Sequence, residues 1–174
     1  MDYKFKTQPY EHQLHALGAS HNKENFALFM EMGTGKSKVL VDNIAMLYDK
    51  GKINAALIVA PKGVYRNWER QEIPTHMPEH IVYNVVTWSP VTTKKQQNEN
   101  MKLFKHGDQL TIFLMNIEAF STKKGLDIAQ RFLLAHQTLM AIDESTTIKS
   151  PTARRTKNVL KLRNYAKYRR ILTG

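Results

Sequence analysis

The stretch Met30-Glu31-Met32-Gly33-Thr34-Gly35-Lys36-Ser37 decides how the rest of this 174-residue chain is interpreted. An apolar run, Phe26-Ala27-Leu28-Phe29, precedes it and predicts a buried strand, and apolar residues at helical spacing follow from Val39. Gly33 and Gly35 lack a Cβ, so the backbone between strand and helix can curl round a phosphate and direct N–H groups toward it. The stretch fits the G-x-x-x-x-G-K-[ST] pattern except that Met30 replaces the first glycine. We therefore predict a phosphate-binding loop; the alternative is a glycine turn followed by a lysine that holds no ligand.

This loop predicts a site for ATP and Mg²⁺. The Lys36 ammonium is expected to hold the β- and γ-phosphates, and the Ser37 hydroxyl is expected to hold Mg²⁺. The predicted nucleotide-binding residues of the loop are Met32, Gly33, Thr34, Gly35, Lys36 and Ser37.

A second acidic site follows the apolar run Thr138-Leu139-Met140-Ala141-Ile142, which predicts a deep strand ending at Asp143-Glu144. In a chain with a phosphate loop, two carboxylates at a strand tip supply a ligand for the metal and a general base for the attacking water. We expect Asp143 on the metal side and Glu144 on the water side, so that Lys36, Asp143 and Glu144 form the catalytic set. The alternative is an N-cap pair ahead of Ser145.

Upstream of the loop, Pro9 opens a helical stretch that Gly18 closes. The helix carries Leu14 and Leu17 on one side and includes Gln13. A side-chain amide can donate to and accept from an adenine edge at once, which suits Gln13 for reading the base of ATP. A glutamine that faces solvent on an amphipathic helix is the other interpretation.

The remaining hydrophobic runs predict an α/β fold, a mainly parallel sheet with helices on both faces. Strands are expected near residues 26, 55, 83, 112, 140 and 170. A helix from Val64 is expected to stop at Pro74. Another helix is expected over 126–136, with Lys123-Lys124-Gly125 as its basic lead-in, and a basic helix over 151–164.

The charge balance points to a polyanionic partner, with nucleic acid as the first candidate. Lys and Arg number 26 against 15 Asp and Glu, a formal net charge of +11. Lys62 begins a helix after a strand and can meet a backbone phosphate, or simply start the helix. Asn116 follows a strand end, where open parallel sheets bind ligands. Arg154 belongs to rows of cations on the basic helix, which either contact phosphates or face solvent.

The composition also bears on location. With no cysteine, the chain can form neither disulfides nor thiolate metal sites, which fits a reducing compartment. No apolar run approaches a membrane span, and the start Met-Asp-Tyr-Lys lacks the apolar run of a signal peptide. The cytoplasm is the expected location, and no membrane partner is expected.

The order of these segments resembles the first RecA-like domain of superfamily 2 helicases and translocases, closest to the Swi/Snf-related branch and its phage relatives. The segments that carry the resemblance are Pro9 to Gln13 (Q motif), Glu31 to Ser37 (motif I), Val59 to Lys62 with Asn67-Trp68 (motif Ia), Asn116 to Glu118 (motif Ib), Asp143 to Ser150 (motif II) and Ile171 to Gly174 (motif III). One departure concerns motif Ia, where Glu72 follows Trp68 by four positions and three is commoner.

The resemblance implies a P-loop ATPase domain in which Gln13 reads adenine and Asp143 and Glu144 form the Walker B pair. It also implies that Lys62, Asn116 and Lys149 lie toward a DNA track, duplex DNA being favoured. A second RecA-like domain normally follows and completes the ATP site, so residues 1–174 are expected to be the N-terminal domain, nearly inactive alone, from a bacterium or a phage-infected cell. A helicase on single-stranded DNA or RNA, and a non-enzymatic binding module with a vestigial ATP site, are the alternatives.

Overall fold

Apolar strands alternate with helical segments along this chain, and each helix returns the chain to the same edge of one sheet, which makes neighbouring strands parallel. The computed structural model describes residues 3–30, 35–143 and 154–173. In these residues six strands form one sheet in the order β1-β6-β5-β2-β4-β3, and every pairing is parallel. The strands are β1 (Asn25–Phe29), β2 (Ala55–Ala60), β3 (Tyr83–Thr87), β4 (Leu110–Asn116), β5 (Thr138–Asp143) and β6 (Tyr168–Thr173).

The helices fall into two groups. Those before β3 are α1 (Glu11–Ser20), α2 (Lys36–Asp49), α3 (Tyr65–Asn67), a π-helical turn (Trp68–Glu72) and α4 (Ile73–His76). Those after β3 are α5 (Lys94–Met101), α6 (Lys123–Ala135) and α7 (Arg154–Leu162), with 3₁₀ turns at Lys102–Phe104, Ile117–Ser121 and Arg163–Tyr165.

The two groups lie on opposite faces of the sheet. The chain moves in one direction across the sheet from β1 through β2 to β3, and then returns through β4 and β5 to β6. Because parallel crossovers are right-handed, reversing the direction reverses the face that the helices cover. α2 accordingly contacts α1 and α4, whereas α6 contacts α7.

The core lies around the central strands, where β2 is buried along its whole length, as is β4. Strands covered on both faces need apolar side chains in both directions, which explains the unbroken apolar runs in the sequence. The predicted strand positions are all confirmed, and the sheet is entirely rather than mainly parallel in the described residues.

A buried arginine joins β6 to α1 and α2. Arg170 is 1% exposed, and its guanidinium donates to the Asn43 side-chain oxygen and the Ser20 carbonyl oxygen, both at 2.8 Å. Burial lowers its pKa to about 10. This network joins β6, the end of α1 and the middle of α2 into one support beneath the candidate site.

Four local expectations are wrong. The helical stretch after Pro9 does not close at Gly18 but continues as α1 to Ser20. β1 is an edge strand that pairs only with β6 in the part of the chain described, and Phe29 at its end is 80% exposed rather than buried. The helix from Val64 does not stop at Pro74 but continues to His76. The sequence Lys123-Lys124-Gly125 is the first turn of α6 rather than its lead-in, because the Thr122 hydroxyl accepts from the Gly125 amide and caps the helix there.

The continuation through Pro74 has a physical explanation. Proline lacks an N–H, and its ring clashes with the carbonyl four residues back in a regular α-helix. Here the Ile73 amide donates to the Trp68 carbonyl five residues back, so the turn before Pro74 is π-helical and wider.

None of the helices in the described segments is long and apolar enough to cross a bilayer.

Candidate functional site

Gly35 and Gln13 form the best-defined contact of the candidate site. Gly35 precedes α2 with a left-handed φ of +81°, and a Cβ placed there would lie 2.1 Å from the Gln13 Nε2 atom. The Gln13 side chain is 5% exposed; its Nε2 donates to the Gly35 carbonyl at 3.4 Å, and its Oε1 accepts from the Tyr10 amide at 2.8 Å. The structure therefore excludes a solvent-facing Gln13 and places its amide against the last glycine of the predicted loop.

Lys36 and Ser37 are the first two residues of α2, and both are half-buried. The first turn of α2 carries no acidic residue, and the amides and positive dipole end of a helix's first turn favour an anion. The predicted loop residues Met32, Gly33 and Thr34 lie outside the described residues.

Asp143 is the last residue of β5 and is half-buried at the carboxyl edge of the sheet. β6 lies between β1 and β5, so two strand spacings put Asp143 roughly 10 Å from the end of β1. α2, the helix that follows β1, lies on one face of the sheet and α7, the helix that follows β5, lies on the other; open α/β sheets bind ligands at the strand ends where this change of face occurs. Glu144 lies outside the described residues.

These residues fit a nucleotide with Mg²⁺. Gln13 occupies the space that a Cβ at Gly35 would need, so the backbone at residue 35 carries no side chain. The Ser37 hydroxyl and the Asp143 carboxylate supply oxygen atoms, the ligands that Mg²⁺ prefers. Lys36 adds a cation beside them.

A further residue, Glu72, reaches this site and was not predicted to belong to it. It ends the π-helical turn, and its carboxyl lies near the Ser37 hydroxyl. Burial raises the pKa of Glu72, and the nearby Ser37 hydroxyl opposes that rise. Two features of the sequence could have indicated it: the extra residue between Trp68 and Glu72, and Pro74 in a helical run. A π turn accommodates both, because it holds one more residue than an α turn.

The described residues among those predicted for nucleic acid lie along the same edge of the sheet. Lys62 is exposed just after β2, and Arg154 is exposed at the start of α7. Arg155, next in α7, lies 3.5 Å from Glu118, which places the start of α7 beside the turn after β4. Lys149 lies outside the described residues.

Asn116, also predicted to lie toward nucleic acid, has a structural task. It ends β4, is 6% exposed, and its side-chain oxygen accepts from the Ala119 amide at 2.9 Å. It therefore caps the 3₁₀ turn at Ile117–Ser121, the turn whose Glu118 lies beside Arg155 of α7.

Comparison with known proteins identifies the family. The model of the SNF2-related domain matches residues 12–174. The chain belongs to the SNF2-related domain family. The match covers Gln13, the predicted phosphate loop and Asp143-Glu144 together, and the resemblance to Swi/Snf-related superfamily 2 proteins is confirmed. No curated protein matches the chain significantly.

Solved structures share the fold of this SNF2-related domain. The Sulfolobus solfataricus SWI2/SNF2 ATPase core in complex with double-stranded DNA aligns over 100% of this chain and 33% of its own, with a TM-score of 0.72 and 20% identity. A second structure, of the Sulfolobus solfataricus SWI2/SNF2 ATPase core domain, aligns over 97% of this chain and 33% of its own, with a TM-score of 0.66 and 20% identity. The UvsW helicase from bacteriophage T4 aligns over 97% of this chain and 53% of its own, with a TM-score of 0.67 and 10% identity. The RecA-like α/β fold is thus confirmed, and this chain spans about a third of the Sulfolobus cores.

Proposed function

We propose that this SNF2-related domain is the ATP-binding half of a DNA-dependent ATPase that moves along duplex DNA. The observation that carries the proposal is the start of α2, where a left-handed Gly35, Lys36 and Ser37 stand together and Gln13 packs on the glycine. Asp143 lies at the same edge of the sheet. This set combines the parts that bind phosphate, metal and base.

Each side chain has a separate task in this proposal. Ser37 and Asp143 would hold Mg²⁺, which supplies positive charge against the phosphates. Lys36 binds the β- and γ-phosphates, Gln13 reads the adenine edge, and Glu144 accepts the proton of the attacking water. Met32, Gly33, Thr34 and Gly35 complete the phosphate cradle.

The DNA partner is supported by charge and by the position of the cations. The formal net charge is +11, and Lys62 and Arg154 are exposed along the edge that carries Asp143. Lys149 would join them, and Asn116 would hold the turn that they flank. A Swi/Snf-type core of the same fold was solved with double-stranded DNA, which favours duplex over single strands for this chain too.

A second RecA-like domain is part of the proposal, because this chain spans only about a third of the Sulfolobus cores it matches. Hydrolysis would then close and open two domains around ATP and step them along DNA. Alone, this domain is expected to turn over ATP more slowly than about one per second, below an ordinary enzyme.

ATP hydrolysis by this domain joined to its second domain, without DNA, with single strands and with duplex, tests the proposal. Stimulation by duplex that disappears in Glu144→Gln supports it. Stimulation by single strands only indicates a strand-separating helicase instead. No hydrolysis under any condition indicates a binding module with a vestigial site.

A further inference from the structure

Two helices on the same face of the sheet each begin with a pair of exposed lysines. α5 begins with Lys94 and Lys95, and α6 begins with Lys123 and Lys124. None of these four ammonium groups pairs with a carboxylate in the segments that the structure describes. The four side chains form a strongly basic surface, the lysine strip.

The charges of the lysine strip do not stabilise the helices that carry them. Threonine hydroxyls cap both helices: Thr93 accepts from the Gln96 amide at 3.1 Å, and Thr122 accepts from the Gly125 amide at 3.0 Å. Positive charge in a first turn opposes the helix dipole, which favours acidic residues at that end, and neither first turn carries one. An anionic partner explains the lysines better than helix stability does.

The lysine strip lies at the carboxyl edge of the sheet. The Gln96 side-chain amide donates to the Thr87 carbonyl at the end of β3, at 3.2 Å, which holds the start of α5 at this edge. α6 follows the 3₁₀ turn after β4, and Glu118 of that turn lies 3.5 Å from Arg155 of α7. The strip therefore continues the edge at which Arg154 is exposed, toward β3 and away from β1.

The surface beside the lysine strip is open and carries a surplus of positive charge. α5 and α6 leave a groove of about 650 Å³ between them, and Lys123, Lys124 and Arg131 line it. Asp127 is the one carboxylate among the described residues that line this groove. A large polyanion can therefore approach the strip without meeting a matching row of carboxylates.

The row of helix starts is long enough to meet both strands of a duplex. α6 contacts α7 on one side and the 3₁₀ turn that follows α5 on the other. Packed helices lie roughly 8–10 Å apart, so the starts of α7, α6 and α5 span roughly 16–20 Å. The grooves of B-DNA are roughly 6 and 12 Å wide, so phosphates of different strands lie within that span. A single strand has no second row of phosphates at such a separation.

We propose that the lysine strip contacts the phosphates of the DNA strand farther from the nucleotide site and thereby makes this edge selective for duplex. This inference rests on the proposed function, in which duplex DNA lies against Lys62 and Arg154. It extends the DNA surface past β4 to the end of β3.

Fluorescence anisotropy with labelled duplex and with a labelled single strand of the same length, over a series of salt concentrations, tests the inference. Each lysine that contacts a phosphate adds about 1 to the slope of log affinity against log salt. Lys94→Ala with Lys95→Ala, and Lys123→Ala with Lys124→Ala, are each expected to reduce the duplex slope by about 2 and the single-strand slope by less than about 1. Arginine at the same positions keeps the charge and should keep both slopes.

The matched control is Lys50→Ala with Lys52→Ala. Both lysines are exposed, and they follow α2 at the opposite edge of the sheet, so the control removes the same charge without touching the strip. It should leave both slopes unchanged. Thermal unfolding shows which variants are folded, and if a double variant is not, its two single variants replace it, each with an expected reduction of about 1.

Duplex slopes of the strip variants that equal those of the control would overturn the inference, and so would equal reductions on duplex and single strand. Failure of the proposed function shows in the unaltered protein instead. No binding of duplex at any salt concentration would remove both proposals. Binding of duplex without stimulation of ATP hydrolysis in the two-domain protein would remove the proposed function and leave the lysine strip as a DNA surface.

Discussion

Gly35 is the residue at which backbone conformation and packing both exclude a side chain. Its φ is +81°, and a Cβ would lie 2.1 Å from Gln13 Nε2. An alanine there adopts left-handed backbone at a cost of about 1–2 kcal/mol and also pushes the buried amide aside. We expect Gly35→Ala to lower the free energy of unfolding by at least about 1 kcal/mol in urea denaturation.

Two further variants identify the source of that loss. Gly63→Ala is the control, since a Cβ at Gly63 meets nothing within 4 Å, and it should change stability little. Gln13→Ala removes the colliding amide, so Gly35→Ala should cost less in that background than alone. Equal costs in both backgrounds would show that the contact with Gln13 does not contribute.

The sequence leads to a prediction for the single residues of the candidate site, because phosphate binding needs a glycine, a lysine and a hydroxyl at fixed spacing. It leaves two interpretations of Gln13, and only its burial against Gly35 removes the solvent-facing one. It does not predict that Glu72 lies near Ser37, because the two residues are 35 positions apart on two elements and their approach depends on a π turn.

Among the elements, α2 is tied to the N-terminal segment by a buried ion pair. Lys38 and Asp42 lie 2.8 Å apart with 4% and 1% of their side chains exposed. Lys38 also donates to the Thr7 carbonyl, and the Tyr3 hydroxyl donates to Asp42. Removing one partner leaves a buried charge unpaired, so Asp42→Ala is expected to lower the free energy of unfolding by roughly 3–5 kcal/mol.

Asp49→Ala, at the C-terminal end of α2, is the comparison for Asp42→Ala. Asp49 pairs with His80 at 2.8 Å near the surface, where the side chains are 29% and 45% exposed, and such pairs contribute roughly 0–1 kcal/mol. Similar losses in the two variants would show that the Lys38–Asp42 pair does not hold the N-terminal segment.

The elements themselves were largely predictable, since each strand is an apolar run of suitable length. Two features were not. An edge strand and a central strand can have the same composition, so the exposure of Phe29 depends on pairing that the local sequence does not determine. The helix through Pro74 needed a π turn, whereas proline ordinarily ends a helix.

For the whole molecule, stability should depend on pH through buried histidine. Burial lowers the pKa of His136 below its ordinary 6.5, against the hydrogen bond with the Leu103 carbonyl, and His106 nearby adds to the lowering. The unfolded chain then binds more protons than the folded one in mildly acidic solution. The His136 contribution is complete above about pH 6.5 and is lost as pH falls through the folded pKa.

Urea denaturation between pH 5 and 8 checks this contribution. The free energy of unfolding is expected to fall more steeply toward acid in the unaltered chain than in His136→Gln, since other titrating groups are common to both. Parallel pH profiles for the two proteins would contradict it.

The charge of the whole molecule leads to a prediction about DNA. Binding to duplex should weaken with salt along a straight line of log affinity against log salt. Lys62→Ala should reduce the slope by about 1, whereas Lys50→Ala, at the far end of α2, should leave it unchanged. Fluorescence anisotropy of labelled duplex measures both slopes. Equal slopes for Lys62→Ala and the unaltered chain would show that Lys62 does not contact DNA.

At this scale the order of the strands follows from the alternation of strands and helices only in part. The alternation predicts a parallel sheet, but the reversal after β3 is not visible in any local pattern. The reversal is required only once the predicted phosphate loop and the strand that ends at Asp143 are assigned to one ligand. The resemblance to the Swi/Snf-related branch implies the reversal, because the resemblance rests on the order of the motifs along the chain.

Binding of ATP with Mg²⁺ to this chain, compared with Lys36→Ala and Lys50→Ala, tests the central claim most directly. We expect Lys36→Ala to weaken binding roughly 10- to 100-fold, since a hydrogen bond to a charged group contributes about 1.5–3 kcal/mol. Lys50→Ala should bind as the unaltered chain does. Equal affinity of all three proteins for ATP, or no binding by any of them, would contradict the assignment of a nucleotide site to the start of α2.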